Sequence, residues 1–293
     1  MGRWLRRFVY TACFNALLVG LSACVDTSAV RRFATVSSTA SEQFEEIADD
    51  LPAACMRQHR YLALADSQIT LEGVRSRAEE SCSDYVTLAR RLNGANQVLV
   101  SYLKALGKLA EDKLVVYDKR IEDVADALAD NDMFDAEKIG AVERLAATLS
   151  NAVAGEWRRK QLKQTVEEAN PDVQILVAAL RDVIDEDYTR LLDVEGEAAK
   201  HYYLGQIKEY GAGEPLTVPL VFEKWREADL AVRDKQGAAA LSVKILDKIA
   251  KGHQKLYDNR DKLSSKEVHS LLMEYTVVLE DLVYDFEKLR DAF

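Results

Sequence analysis

An all-α fold is predicted by three observations. Apolar residues recur at spacings of three and four over long stretches, helix breakers are scarce, and no strand-like alternation outscores the helical pattern. The chain of 293 residues contains 4 Pro and 13 Gly, well under the roughly 5% and 7% of an average protein. Turns should therefore be few and helices long. A hydrophobic content of 48% supplies a core and excludes a disordered chain. The formal charge of −10, from 39 basic and 49 acidic residues, argues against nucleic acid, whose phosphates need clustered cations. The expected architecture is an elongated antiparallel bundle of six or seven long helices with coiled-coil-like seams.

The first 24 residues follow a different logic. Arg3, Arg6 and Arg7 form a positive start, and an apolar run from Phe8 to Leu21 follows. That run is short for a transmembrane helix, which needs about 20 apolar residues, and the order of features is that of a secretory signal. It ends in Leu21-Ser22-Ala23-Cys24, which resembles the lipobox of bacterial lipoproteins. The resemblance covers these 24 residues alone. It implies cleavage before Cys24 and acylation of the Cys24 thiol and of the new amino group, so that acyl chains tie the protein to a membrane. Val25 rather than Asp follows the cysteine, which by the sorting rule of that class implies the outer membrane, facing the periplasm. Removing residues 1–23 leaves 36 basic against 49 acidic residues, a charge of −13. A body this acidic is expected to be repelled by anionic lipid, leaving the acyl chains to hold it.

Residues 25–38, rich in Thr, Ser and Ala, read as a tether of roughly 20 Å if flexible. Thr39 and Glu42 form a capping-box pattern before the apolar stripe Phe44, Ile47 and Leu51. Pro52 either kinks that helix or starts another, which runs to about Ala65. After a polar turn at Asp66-Ser67-Gln68, Thr70 or one of its neighbours opens the next helix. Its seam of Tyr85, Leu88, Leu92, Ala95, Leu99, Tyr102, Leu106 and Leu109 is the clearest periodicity in the chain. Leu114 to Leu128 continues helical, and Asn131-Asp132 breaks it. Asp135 caps a helix to about Ala169, and Asn170-Pro171 reads as an N-cap with Pro at the first helical position. That helix reaches about Tyr210. Gly211 to Pro215 is the most evident linker, Thr217 and Pro219 start a helix to roughly Lys262, and Ser264 with Glu267 caps the last one. The best strand candidate, Leu216 to Leu220, is interrupted by Pro219. The domain plan is thus 1–23 signal, 24–38 lipidated tether and 39–293 bundle, any internal break falling near residue 131 or 211.

Two cysteines remain in the mature body. A turn centred between Gln68 and Ile69 sets Cys55 and Cys82 at the same height on an antiparallel hairpin, as a disulfide requires. An oxidising periplasm would close the pair, with a stabilisation of roughly 3.5 kcal/mol on the chain-entropy model. The weaker alternative is a zinc or copper site made of Cys55, His59 and Cys82, since His59 follows Cys55 by one helical turn. Met56 would be available to copper.

Catalytic patterns are thin. His201, His253 and His269 belong to no zinc-protease or di-iron spacing. His253 shares a seam with Leu246, Ala250 and Tyr257 and reads as a packed core residue, while His269 and Met273 lack the second pair that a haem or copper site needs. Phosphate-loop, dinucleotide and nucleophile-elbow signatures are absent. The acids Asp182, Asp185, Glu186 and Asp187 read as a solvated helix face. Trp157 before Arg158-Arg159-Lys160 reads as a helix edge, with an interfacial anchor as the sharper reading, and Trp225 beside Phe222 as core. The expectation is a lipid-anchored envelope lipoprotein, not an enzyme and without a cofactor, that works through an envelope protein partner. The alternative is a periplasmic bundle that binds a metal or small ligand.

Overall fold

The computed structural model describes residues 26–64, 70–111, 135–153, 158–214 and 216–293. Among them every regular element is helical and no strand occurs. The helices are α1 (Ser28–Glu42), α2 (Phe44–Leu64), α3 (Leu71–Ser81), α4 (Ser83–Ala110), α5 (Ala136–Val153), α6 (Arg158–Asp182), α7 (Thr189–Tyr210), α8 (Thr217–Asp258) and α9 (Lys266–Glu287). A π-turn at Val183–Tyr188 joins α6 to α7, making one rod about 80 Å long. Single residues separate α1 from α2 and α3 from α4, so the described residues form six rods. The expected all-α bundle is the observed one.

The seam of α8 organises the packing. Val232, Lys235, Ala239, Ser242, Leu246, Ile249, His253 and Leu256 alternate at spacings of three and four, and all are buried. The α6–α7 rod runs antiparallel along this helix, as the contacts Gln174 to Ala250 and Gln236 to Asp193 record. Helix α1 crosses α8 closely because Gly252 has no side chain. A Cβ there would lie 2.3 Å from the Phe33 ring. The predicted α4 seam is buried from Leu88 to Leu109 and half-buried at Tyr85.

The expected tether is a helix. α1 starts at Ser28, and Val30, Phe33, Ala34, Ser37 and Ser38 are buried in it. The small hydroxylic residues look like linker composition, yet here they line a close-packed face. Thr39 is consequently inside α1, and the capping box at Thr39 and Glu42 does not form. Pro52 lies within α2 and Pro171 within α6. Asn170 does not cap a helix. Its side chain bonds Gln254 (2.9 Å) and His253 (2.9 Å) instead, because the core supplies partners that an N-cap would otherwise take from the backbone. The helix predicted from Asp135 to Ala169 is divided, with α5 ending at Val153 and α6 starting at Arg158. Thr70 and Asp135 do cap their helices, accepting from the backbone N–H groups of Gly73 (3.1 Å) and Lys138 (3.0 Å). The last cap is Ser265, one residue later than expected, accepting from Val268 N–H (3.2 Å). The predicted turn at residues 66–68, the stretch 114–128, Asn131-Asp132 and residues 1–24 fall outside the described residues.

His253 is a core residue, as expected. Its Nε2 accepts from the Tyr102 hydroxyl (2.6 Å) and its Nδ1–H donates to Asn170 Oδ1 (2.9 Å), an assignment that fits a neutral ring. Burial pushes the His253 pKa from 6.5 down to about 3 and raises that of the Tyr102 phenol. The unfolded chain therefore takes up the proton first as pH falls. The stability that neutral His253 confers is complete above pH 6.5 and is lost as pH falls toward 3, at about 1.4 kcal/mol per pH unit within the window. Urea unfolding at pH 7 and pH 5 should show a loss about 2 kcal/mol smaller in His253→Gln than in the parent. Equal losses would mean that His253 protonates in the folded state.

Candidate functional site

Three features stand apart from ordinary bundle packing. The first is the cysteine pair. Cys55 on α2 and Cys82 between α3 and α4 form a disulfide, with Cα atoms 5.8 Å apart. Both are buried. The short helix α3 buries Val74 and Ala78 among its described side chains, so the covalent link is a large part of what holds it against α2. The ligand atoms of Cys55, His59 and Cys82 lie within 4.8 Å of one another, which is the grouping predicted for a metal. While the two sulfurs are bonded to each other neither is a thiolate, so the set can hold soft metal only after reduction. Guanidinium unfolding should place the Cys55→Ser/Cys82→Ser variant roughly 3.5 kcal/mol below the oxidised parent. An unchanged midpoint would mean that packing alone holds α3.

The second feature is a buried ionic cluster. Asp50 on α2 accepts from Arg57 at both carboxylate oxygens (2.9 and 2.9 Å), from Lys235 on α8 (2.8 Å) and from the Tyr188 hydroxyl at the π-turn (2.8 Å). Glu195 on α7 accepts from Arg57 Nε (2.6 Å) and Nη2 (3.0 Å). Two carboxylates thus meet two cations, and the cluster is neutral. Burial works against the Arg57 charge, but the hydrogen bonds it donates to Asp50 and Glu195 outweigh this and raise its pKa. Burial lowers the Lys235 pKa, partly offset by Asp50. Burial, then the Asp50 charge, raises that of Tyr188. The cluster reads as a device that sets the register of α2, α7 and α8. Lys235 was legible as a charge in a seam, whereas its partners come from three distant segments. Asp50→Ala would strand buried Lys235 and should cost about 3–5 kcal/mol in thermal or urea unfolding, with a loss below about 1 kcal/mol showing that water reaches the site.

The third feature is the end of the α7–α8 hairpin. None of the described residues from Lys200 to Ala231 is buried. Val218, Val221, Trp225 and Ala228 continue the α8 seam but are only half covered. Outside that seam, Leu216 is 81% and Leu220 70% exposed, with Leu204, Tyr210 and Phe222 also exposed. Trp225 and Phe222, expected in the core, pack on each other with ring centroids 5.4 Å apart at this end. Its ions are largely paired within one helix, as Lys224 with Glu227 and Arg226 with Glu223. Below it, Tyr61, Tyr202 and Tyr203 form a small cluster that ends the packed part of the molecule.

The other predicted positions carry no site. Asp185 and Glu186 are exposed on the π-turn, while Asp182 pairs with Arg181 and Asp187 with Arg190. His201 is exposed. His269 lies 3.9 Å from Asp26, and Met273 packs against the core. Trp157 and Cys24 are outside the described residues. Among the described residues no helix is long and apolar enough to cross a membrane. No family model, curated protein or solved structure matches the chain.

Proposed function

We propose that this is a lipid-anchored lipoprotein of the bacterial envelope, held through acyl chains on Cys24 and acting as an interaction or scaffold protein. On this reading it faces the periplasm from the outer membrane. The observation that carries the interaction role is the uncovered apolar end of the α7–α8 hairpin, with Leu216 and Leu220 exposed at 81% and 70%. Contiguous apolar surface on a hairpin that lacks a core of its own is what a protein partner covers. The lipobox supports the anchor, and a buried disulfide suits an oxidising compartment.

Photo-crosslinking in cells from residues 216 and 220 should capture one discrete envelope protein, whereas the same probe at exposed Glu79 on α3 should not. Identical patterns from the three positions would remove the interaction role. In parallel, acyl labelling should be lost in Cys24→Ala, and persistent labelling would remove the anchor.

The alternative reading, a metal-binding bundle, is favoured by the closeness of Cys55, His59 and Cys82. It requires the reduced protein, and zinc-dependent thermal stabilisation only after reduction would support it.

A further inference from the structure

The net charge of the mature chain predicts repulsion from anionic lipid, but the charge is not evenly distributed. One end of the bundle is identified by its contacts. Thr27 Oγ1 donates to the Ala110 carbonyl at the end of α4 (2.6 Å), His269 at the start of α9 approaches Asp26, and Lys163 of α6 pairs with Asp261 after α8. The starts of α1, α6 and α9 and the ends of α4 and α8 therefore lie together. Cations collect here. Lys108 is in the last turn of α4, Lys255 in the last turn of α8, Lys262 in the following loop, and Lys266 begins α9. None of these four has a carboxylate within salt-bridge distance among the described residues, although Glu267 feels the charges of Lys262 and Lys266, and three acids at the same end are held by other cations, Glu111 by Arg31, Asp261 by Lys163 and Glu167 by Arg260.

We infer that this end is a docking surface for the phosphate headgroups of an anionic bilayer, with Lys108, Lys255, Lys262 and Lys266 as its contacts. The inference rests on acylation of Cys24, because it supplies the second attachment to the same membrane. Asp26 is two residues from Cys24, and α1 starts at Ser28 with no tether. Three residues span at most about 10 Å, so acyl chains in the bilayer hold this end at the headgroups. The acyl chains supply the anchoring by themselves, and a basic patch beside them sets how the bundle stands on the surface. The acidic remainder of the body is repelled by the same surface. Attraction at one end and repulsion along the sides stand the bundle upright. The α8 helix of 42 residues then carries Leu216 and Leu220 about 60 Å from the surface.

The test uses full-length protein, processed and acylated, in vesicles of phosphatidylcholine with or without a third of phosphatidylglycerol. A fluorophore at Ala212→Cys, in the hairpin turn, reports energy transfer to a dye in the bilayer. Phosphatidylglycerol should lower the transfer by holding the turn away from the surface, and high salt should reverse the change. Lys108→Gln/Lys255→Gln/Lys262→Gln/Lys266→Gln should abolish the response, while the corresponding four Lys→Arg changes should keep it. Each lysine near an anionic surface is worth roughly a fivefold factor, so the four together favour the docked orientation by about 600-fold, and the Gln set should leave the transfer the same in both vesicles. Helical circular dichroism and melting separate this loss from misfolding. Intact mass reports acylation independently. Acylated protein that floats with both vesicles and shows the same transfer in each overturns the docking surface. Protein without acyl mass overturns the lipoprotein reading and the second attachment with it. A response of the lysines to an acidic protein but not to phosphatidylglycerol also overturns the inference.

Discussion

The structure depends on covering one long helix. The apolar seam of α8 repeats over its whole length, and a seam is stable only where another surface removes it from water. From Val232 to Leu256 the seam is buried, covered by the α6–α7 rod, α9 and α1, with Asp50 of α2 and Tyr102 of α4 reaching it through their side chains. Below Val232 in sequence the main contacts are with α7, and none of the described residues there is buried. The same periodic pattern thus makes a core along two thirds of the helix and an unfinished surface along the rest.

Polar residues in the seam show how the covered part keeps a single arrangement. His253, Lys235 and Ser242 interrupt an otherwise apolar row. His253 is satisfied by Tyr102 and Asn170, and Lys235 by Asp50. Ser242 Oγ has no partner. A one-turn slip of α8 would leave a cation and an imidazole in apolar surroundings, a larger cost than the loss of a few methylene contacts. Register is specified by what must not be stranded. The π-turn contributes by rephasing the α6–α7 rod, so that Tyr188 and Glu195 turn inward to the cluster while Asp185 and Glu186 stay in solvent.

The ends of the bundle differ in chemistry, and the functional reading follows from that polarity. The end where α4 and α8 finish and α9 starts carries Lys108, Lys255, Lys262 and Lys266. The hairpin turn is apolar and nearly self-neutralised. The disulfide sits between these ends, pinning α3 to α2 near the last packed layer. A rod with unlike ends suits a part that joins a membrane to something held away from it.

Much was legible without coordinates. The three-and-four spacing from Leu88 to Leu109 identified α4, Thr70 and Asp135 announced their helices, and equal distances from one turn paired Cys55 with Cys82. These are local or nearly local rules, in which residue type and spacing decide the outcome. Other residues misled because their roles are settled by neighbours distant in the chain. Ser37 and Ser38 look like a tether until α4 packs on them, Asn170-Pro171 looks like a helix start until His253 claims the Asn side chain, and Trp225 looks like core until the cover on α8 runs out. The sequence by itself determined helices, caps and one covalent link, because those follow from periodicity and chain geometry. Which face of each helix is finished, which buried charge has a partner and which end is basic were decided only by tertiary structure, because each depends on surfaces brought together from opposite ends of the chain.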